Sequence, residues 1–416
     1  MQNSLKLKAK LLEFSFPEEL FSRNIFNILA LIHQSIEITE QRLRKFNLSP
    51  DALLDSIWFF FFKETHMKSY QIVDWGKPLE ARQVEKPVPQ GNEVLVKVGA
   101  AGLCHSDIHL RDGYFDLGGG KRLTAAQYGA KMPMTLGHEI AGTVVQLGES
   151  VKQAWAGANV LVYPWIGCGK CDACHDLRDT DCEAQRSLGA KADGGFSEYV
   201  LVPDARYLID IGKLDMHASA TLACSGLTAF GALKKMPPMK PTDRILLIGA
   251  GGLGLSALAA AKLITKAGLV VADIDPVKLE AAQQQGADVI FDNRTPDTAA
   301  ALKAAAGGPI RGVIDFVGSG TTASLAMSVA VKGTVIVIVG LMGGSLEIAL
   351  PLLSPRNLTI RGSHVGTLDE LKELVAYSQN GQLPGIPLTR RPMSEVNEAL
   401  SDLEQGKSIG RIVLTP

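Results

Sequence analysis

The sequence of 416 residues has no long uninterrupted apolar segment. Its longest uncharged, apolar-rich stretch, Asn24 to Ile36, has thirteen residues, whereas a membrane-spanning helix needs about 20. A secretory leader is not visible either, because Pro17-Glu18-Glu19 interrupts any apolar segment near the start. We therefore expect no membrane partner.

The sequence also lacks an excess of charge of either sign. Its 42 Lys and Arg residues nearly balance its 43 Asp and Glu residues, and the formal net charge is −1. No basic stripe interleaved with aromatic residues is visible, although such stripes are typical of nucleic-acid binding. Nucleic acid is therefore not an expected partner.

Cysteine is scarce, with six residues in the whole chain. A disulfide framework is not expected, because a chain of this length buries an ample core without such bonds. Thiols that bind metal instead indicate a reducing compartment, and we expect the cytoplasm.

Four of the six cysteines follow each other closely, with the spacing C-x2-C-x2-C-x7-C. Zinc takes four thiolates in a tetrahedral arrangement, and a loop with two-residue spacings can wrap one ion. An iron–sulfur cluster is the alternative, but the bacterial run closes with a three-residue gap and a proline after its fourth cysteine. Here seven residues precede that cysteine and Glu183 follows it. The run predicts a closed, structural zinc site formed by Cys168, Cys171, Cys174 and Cys182.

The other two cysteines, Cys104 and Cys224, flank a Gly137-His138-Glu139 triplet. Two sulfurs and one imidazole make three protein ligands, which leaves one coordination position for water or substrate. The set predicts an open, catalytic zinc site, although a single cysteine is more often a small buried hydrophobe.

A glycine-rich segment follows the strand-like apolar run that begins at Arg244. Its Gly-x-Gly-x-x-Gly spacing allows a tight turn, close approach to a pyrophosphate and close packing of the next helix. Asp273 lies nineteen residues after the last glycine, where a carboxylate accepts both ribose hydroxyls and repels a 2′-phosphate. The pattern predicts NAD rather than NADP. Its cofactor-binding residues are Gly249, Gly251, Gly252, Leu253 and Gly254.

Strand-like and helix-like segments alternate after Asp273. This alternation predicts an α/β fold with a doubly wound parallel sheet that helices cover on both faces. The expected strands there are Val289 to Phe291, Gly312 to Phe316, Thr334 to Gly340 and Leu358 to Arg361. The expected helices are Leu255 to Ile264, Pro276 to Gln285, Thr298 to Ala305 and Thr321 to Val331. Earlier strands are expected at Glu93 to Val98, Ile140 to Leu147, Asn159 to Tyr163 and Phe196 to Val202.

These motifs, in this order, resemble the zinc-dependent alcohol dehydrogenases of the medium-chain dehydrogenase/reductase family. The resemblance covers roughly 350 residues, from about Met67 to the end. It implies a GroES-like, mainly β catalytic domain and a Rossmann nucleotide-binding domain. It rests on both cysteine sets, the segment Gly102 to His109, Gly137 to Glu139, Thr228 after Cys224, the glycine motif and Gly410-Arg411.

The resemblance also implies roles for individual residues. Cys104, His138 and Cys224 would bind the catalytic zinc, with Glu139 behind His138 as a transient ligand. Ser106 and His109 would form the proton relay, and Asp107 would be the partner of a ligating histidine. Zinc would lower the pKa of the alcohol so that an alkoxide forms near neutral pH, and hydride would then pass to NAD.

Further residues are implied to contact the cofactor. Thr228 and Val317 would contact the nicotinamide, although both could equally be ordinary core and turn residues. Asp273 and Lys278 would clamp the adenosine ribose, and Arg411 would contact the pyrophosphate. His105 stands where other members carry an arginine, and a neutral imidazole grips phosphate less firmly.

The domain boundaries follow from the same resemblance. We expect the catalytic domain in residues 67–215, the NAD-binding domain in 216–364 and a return to the catalytic domain in 365–416. Residues 1–66 fall outside the resemblance and are expected to be a dispensable extension, with a docking helix over Ile25 to Ile36 as the alternative. We expect a homo-oligomer, either a dimer or a tetramer.

The expected activity is therefore NAD-dependent alcohol oxidation and its reverse. The substrate class stays open among primary, secondary and aromatic alcohols and ω-hydroxy acids, and two loops, Tyr163 to Ile166 and Gly113 to Met134, are candidates to shape the pocket. A polyol dehydrogenase is one alternative, although those enzymes commonly place a glutamate where this chain has Cys224. A non-catalytic NAD-binding redox sensor is the other.

Overall fold

The computed structural model describes residues 65–152 and 155–416. A compact unit runs from Lys68 to Pro416. The expected extension, apart from its last two residues, lies outside the described part of the chain, and so does the docking helix considered above. No helix in the described ranges is both long enough and apolar enough to cross a membrane.

The first 150 described residues form mainly strands and loops, as the sequence predicts. Residues with alternating or continuous apolar character, such as Val94, Val96 and Val98, are buried in the sheet core. The strands are β1 (His66–Ile72), β2 (Glu80–Glu85), β3 (Val94–Gly102), β4 (Tyr114–Asp116), β5 (Arg122–Thr124), β6 (Met134–Thr135), β7 (Glu139–Leu147), β8 (Asn159–Val162), β9 (Tyr199–Val202) and β10 (Leu208–Asp210). Short helices lie between them: α1 (His105–Asp112), α2 (Ala125–Tyr128) and α3 (Asp172–His175).

The segment Gly113 to Met134 is more ordered than a plain loop. It contains the β4–β5 hairpin and α2, and the three glycines at the hairpin tip all have positive φ values, at 77°, 59° and 76°. Such a backbone path is open to glycine at little cost. A side chain at Gly118 would collide with the backbone at Gly344, so the tip lies against that segment.

A parallel six-stranded sheet follows, in the order β13-β12-β11-β14-β15-β16. Its strands are buried on both faces because helices cover each side, which explains their continuous apolar runs. The strands are β11 (Arg244–Ile248), β12 (Gly268–Asp273), β13 (Val289–Asp292), β14 (Ile310–Asp315), β15 (Val335–Ile338) and β16 (Thr359–Gly362). The helices from residue 216 to residue 356 are α4 (Met216–Thr221), α5 (Leu227–Lys234), α6 (Gly252–Ile264), α7 (Pro276–Gln284), α8 (Thr298–Ala305), α9 (Gly320–Val329) and α10 (Leu353–Arg356).

The predicted doubly wound sheet is therefore confirmed, and the element ends differ by a few residues. Helix α6 begins at Gly252 rather than at Leu255, because Leu255 N–H already donates to Gly251 O. Strand β15 is shorter than expected, because Val339 and Gly340 both donate to the carbonyl of Asp315 and turn the chain out of the sheet.

The end of the chain returns to the first sheet. Strand β18 pairs with β3 in antiparallel register, with Val413 opposite Gly102. The sheet order becomes β10-β8-β7-β3-β18-β17, with β9 also paired to β3. The last elements are α11 (Leu368–Gln379), β17 (Leu388–Pro392), α12 (Val396–Glu404) and β18 (Arg411–Thr415).

Candidate active site and metal centres

Three separate segments bring the predicted catalytic ligands together. Cys104 precedes α1, His138 precedes β7, and Cys224 lies in a π-helical turn, Leu222–Gly226, between α4 and α5. Their ligand atoms all lie within 4.8 Å of one another, and all three side chains are buried. A π-helical turn widens a helix locally and is frequent at functional sites.

The backbone next to His138 depends on a glycine. Gly137 has φ of 91°, and a side chain there would collide with the ring of Phe196. The carbonyl of Gly137 also accepts the N–H of Gly195 at 2.7 Å. Another residue at Gly137 would therefore move His138 away from the two cysteines.

The buried imidazole of His138 fits a metal ligand. Nδ1 lies 3.4 Å from Asp107 Oδ1, but neither ring nitrogen makes a hydrogen bond. Burial opposes a charge on the ring, but Asp107 and Cys104 together raise the pKa of His138 well above its ordinary value. A buried polar atom without a partner is rare in proteins, and a metal ion supplies the missing one. Zinc therefore suits this donor set of two thiols and one imidazole.

Asp107 is placed to hold two of these ligands. It is fully buried, and Oδ2 accepts the N–H of Cys104 at 2.8 Å while Oδ1 accepts the N–H of Gly137 at 3.3 Å. The hydrogen bond from Cys224 contributes most to lowering the pKa of the Cys104 thiol well below its usual value, against the effect of burial. The thiolate is the form of cysteine that binds metal.

Glu139 and Arg411 form a buried ion pair behind the cluster. Arg411 Nη2 donates to Glu139 Oε1, and the N–H of Ser225 donates to the same oxygen at 3.0 Å. Glu139 is 0% exposed and Arg411 is 5% exposed. Burial raises the pKa of Glu139, although the positive charge of Arg411 acts in the opposite direction. The stem of Arg411 also lies against Gly252, so this residue connects the metal cluster with the glycine motif.

The four clustered cysteines also meet in space. Their sulfur atoms lie within 4.8 Å of one another, with Sγ of Cys174 3.5 Å from Cys171 and 4.0 Å from Cys168. The backbone N–H of Lys170 is the main cause that lowers the pKa of Cys168 to about 6. All six cysteines of the chain are free thiols. Four convergent sulfurs fit a tetrahedral zinc ion with no open position.

The glycine motif adopts the turn that the sequence predicts. Gly249 has φ of 101°, and a side chain at Gly254 would collide with the Gly249 carbonyl. Gly251 faces open space, which leaves room for a phosphate near the N-terminus of α6. The residues present therefore fit a dinucleotide.

The Asp273 carboxylate lies at the end of β12, beside this turn. Oδ2 accepts the N–H of Ala250 at 2.6 Å, and Oδ1 accepts the N–H groups of Ile274 at 2.7 Å and Asp275 at 3.0 Å. Lys278, on α7, lies 3.9 Å from the Asp275 carboxylate. The contact with Ala250 had no signal in the sequence, and it ties the acidic residue to the glycine motif.

The other cofactor residues from the sequence surround the two motifs. Thr228, on α5, has its hydroxyl 4.0 Å from Cys224 Sγ, and Val317 lies next to Gly249. His105 lies at the start of α1; part of the residue is exposed, but the neighbouring protein removes water from around the ring and so lowers its pKa.

The predicted relay residues are close in sequence but not joined directly. Ser106 Oγ lies 3.8 Å from Cys104 Sγ, and the His109 ring packs against Phe115 with 5.2 Å between ring centres. Among the described residues, no hydrogen bond joins Ser106 to His109. Burial lowers the pKa of His109, so its imidazole is neutral at pH 7 and can accept a proton.

Aromatic residues that the sequence did not single out individually flank the cluster. Trp165 lies in the predicted pocket loop, its ring centre is 5.4 Å from His138, and its indole N–H donates to Ala223 O at 3.1 Å. Its other neighbour is His364, with 5.3 Å between ring centres. The ammonium of Lys191 lies 4.6 Å from the Tyr128 ring centre. Neither Lys191 nor His364 belongs to a recognisable sequence motif.

Comparison with known proteins agrees with this architecture. Residues 90–213 match the family described as alcohol dehydrogenase GroES-like domain, and residues 252–380 match the zinc-binding dehydrogenase family. Fold and cysteine clusters thus define a zinc-binding dehydrogenase. An NAD-dependent alcohol dehydrogenase of Sulfurisphaera tokodaii is 35% identical over 352 residues, which are 84% of this chain and 100% of that protein. The chain therefore belongs to the zinc-type alcohol dehydrogenases of the medium-chain dehydrogenase/reductase family.

Two further relatives define the range of that similarity. A D-arabinose 1-dehydrogenase (NADP(+)) of Saccharolobus solfataricus is 31% identical over 356 residues, which are 84% of this chain and 97% of that protein. The crystal structure of the alcohol dehydrogenase from the archaeon Aeropyrum pernix superposes with a TM-score of 0.76 at 30% identity, covering 84% of this chain and 100% of that one.

Proposed function

We propose that this protein is an NAD-dependent zinc alcohol dehydrogenase that transfers hydride reversibly between an alcohol and NAD. The buried cluster of Cys104, His138 and Cys224 carries this proposal, because its imidazole has no hydrogen-bond partner. The names of relatives at 35% identity support the same activity.

The residues around the cluster have different roles in the proposed reaction. Cys104, His138 and Cys224 would hold a zinc ion, which would supply a Lewis acid for the alcohol hydroxyl, and the glycine motif would hold NAD as the hydride acceptor. Asp107 fixes the backbone next to two ligands and faces the His138 ring. His109 is neutral and partly buried, and it accepts the proton that the alcohol loses. Ser106 and His109 make no direct contact in the structure, so proton transfer from one to the other would need a bridging group.

The choice of NAD rests on Asp273 rather than on the relatives, since their names include both NAD- and NADP-dependent enzymes. Three backbone N–H groups hold its carboxylate at the end of β12. A fixed negative charge there repels a 2′-phosphate. Lys278, 3.9 Å from the Asp275 carboxylate, would supply a positive charge beside the adenosine ribose, and His105 would supply a donor to the phosphates.

Two zinc ions per chain are proposed, one catalytic and one structural. The second is supported by the four sulfur atoms of Cys168, Cys171, Cys174 and Cys182, which lie within 4.8 Å of one another. The two zinc ions are expected to dissociate at different rates. Only the site of Cys104, His138 and Cys224 leaves a coordination position for an exchanging ligand.

A homo-oligomer in the cytoplasm is also proposed. Exposed apolar side chains lie in the segment between β15 and β16, which supports an interface with a second copy. The six thiols are all free, as a reducing compartment allows. The exposed residues are Leu341 at 50%, Met342 at 55%, Leu350 at 73% and Leu352 at 45%. Sedimentation of the unaltered protein and of Leu350→Glu tests this, and a monomer in both contradicts it.

Initial rates and metal analysis test the activity. The full chain should oxidise a simple primary or secondary alcohol with NAD, and it should contain two zinc ions. A protein that turns over polyols but no simple alcohol would favour the polyol dehydrogenase reading. A protein that binds NAD and turns over neither class would favour the redox sensor.

A further inference from the structure

A row of three rings leads away from the catalytic cluster. The ring centres of His138 and Trp165 are 5.4 Å apart, and those of Trp165 and His364 are 5.3 Å apart. Trp165 is buried, and its hydrogen bond to Ala223, the neighbour of Cys224, fixes the indole. Trp165 therefore lies in contact with both rings, and His364 is separated from His138 by a single tryptophan ring.

The backbone that carries His364 is held in an unusual conformation. Val365 has φ of 42°, which is an outlier for a β-branched residue. Two hydrogen bonds hold the residues directly after it: Tyr163 Oη donates to Gly366 O at 3.0 Å, and Glu370 accepts the N–H of Thr367 at 2.9 Å. Strain of this kind persists only where its surroundings enforce it, and it is concentrated at functional sites.

Lys191 belongs to a turn that packs against Gly137, the residue before His138. Its N–H donates to Ser187 O at 2.8 Å, and within the same turn Gly189 packs closely against the Gly137 carbonyl. The ammonium lies over the Tyr128 ring, at 4.6 Å from the ring centre. The ring of Tyr128 in turn contacts Phe115 at 5.3 Å. Lys191 therefore continues a row of contacts that runs from His109 through Phe115 to Tyr128.

The electrostatic surroundings of His364 are positive. His364 is an exposed residue, yet the protein around its ring removes enough water to lower its pKa. Loss of water around the ring is the largest cause of the lowered pKa. The positive charge of Lys191 is the next largest cause, followed by the charges of His138 and Lys235. Two hydrogen-bond donors in a positive, partly desolvated region are complementary to an anion.

We propose that His364 and Lys191 bind a carboxylate at the outer end of the substrate cleft, so that the preferred substrates are hydroxy acids with several bonds between carbinol and carboxylate. This inference rests on the proposed alcohol dehydrogenase function and narrows its substrate class. The imidazole and the ammonium donate to the carboxylate oxygens, while Trp165 packs against the apolar chain between the two ends. Both residues determine specificity and take no part in the hydride transfer.

Matched pairs of substrates test the proposal. ω-Hydroxy carboxylates of increasing length are compared with primary alcohols of the same length, using NAD and the full zinc-loaded chain. At the best length, kcat/KM should be at least tenfold higher for the carboxylate. The difference should lie mainly in KM, because an anchor remote from the reacting carbon binds ground state and transition state alike.

Three variants identify the residues. His364→Leu and Lys191→Met should each lower the ratio of kcat/KM values, carboxylate over neutral alcohol, by at least tenfold. Lys213→Met removes the same charge from an exposed lysine in the turn after β10 and should leave the ratio unchanged. A ratio near one in the unaltered protein, or one that the first two variants do not lower, overturns the proposal.

Calorimetric binding gives a readout that needs neither turnover nor a variant. An alkanoate of the best chain length should bind saturably, and the corresponding alkanamide at least tenfold more weakly. Equal binding of the two overturns the carboxylate site. Selective alkanoate binding without oxidation of any alcohol supports the carboxylate site and contradicts the proposed activity alone.

Discussion

Replacing Arg411 with methionine should destabilise the protein by isolating one buried carboxylate. In the unaltered protein Glu139 Oε1 accepts from Arg411 and from the N–H of Ser225, while Oε2 is buried without a partner. After Arg411→Met, Ser225 provides the single remaining hydrogen bond. Removing one member of a buried ion pair costs about 3–5 kcal/mol, whereas replacing both members is close to neutral.

These values translate into a measurable change in Tm. At roughly 2 °C per kcal/mol for a chain of this size, Arg411→Met should lower the Tm by about 6–10 °C. The double variant Arg411→Met/Glu139→Gln should recover more than half of this loss, because a neutral amide tolerates burial better than a carboxylate. Calorimetry on all four proteins of the cycle, at equal zinc and protein concentration, gives the coupling between the two residues.

The pH dependence adds an independent check. Burial raises the pKa of Glu139, so the charge that the folded state must hold forms only as the pH rises. The deficit of Arg411→Met should therefore be small at acidic pH and should grow as the pH increases through that raised pKa. Equal Tm losses in the single and double variants, or a deficit that is the same at every pH, would refute this account of the pair.

The other predictions concern metal, cofactor, proton transfer and chain length. Cys171→Ser should lose one zinc and much of the thermal stability, while Cys104→Ser should lose turnover with the fold intact; elemental analysis with one zinc, or iron, in the unaltered chain would contradict the two-site assignment. Asp273→Ser should lower NAD use and raise the ratio of kcat/KM with NADP to kcat/KM with NAD by about tenfold or more. The reason is that the substitution removes a negative charge and the acceptor of the Ala250 N–H. Equal use of both cofactors by the unaltered enzyme would contradict this prediction. His109→Gln should slow alcohol oxidation at neutral pH and regain most of the rate at high pH, where hydroxide accepts the proton, and an unchanged pH profile would remove His109 from the relay. A chain that begins at Met67 should keep the zinc content and Michaelis parameters of the full chain, and loss of folding or activity would favour a docking role for the preceding residues.

Features that depend on neighbouring residues were predictable from the sequence. The turn at Gly249 and the strand that ends at Asp273 follow from local spacing, because each glycine meets a steric demand a few residues away. The two cysteine sets were separable for a similar reason, since one run is compact and the other ligands are scattered between elements. The ordered hairpin between Gly113 and Met134 was missed, because its tip is fixed by contact with the distant Gly344.

Contacts between distant segments were not predictable from one sequence. Glu139 and Arg411 are 272 positions apart, and their pairing depends on the register of β18 against β3. His364 likewise reaches Trp165 only because the segment after β16 packs against the loop after β8. A single histidine or lysine in a sequence shows neither how buried its side chain is nor which charges surround it. The sequence therefore did not point to His364 or Lys191, and the substrate class stayed undecided.

The return of β18 to the first sheet also has a consequence for biosynthesis. Arg411 leaves the ribosome 272 residues after Glu139, a delay of about 14–54 s at typical rates of elongation. All six strands of the parallel sheet are made within that interval, so the nucleotide-binding sheet can form first. The catalytic sheet waits for its partner strand, and until then Glu139 lacks its counter-charge. A nascent chain in which β16 has left the ribosome and β18 has not would therefore hold a complete parallel sheet while Glu139 still lacks Arg411.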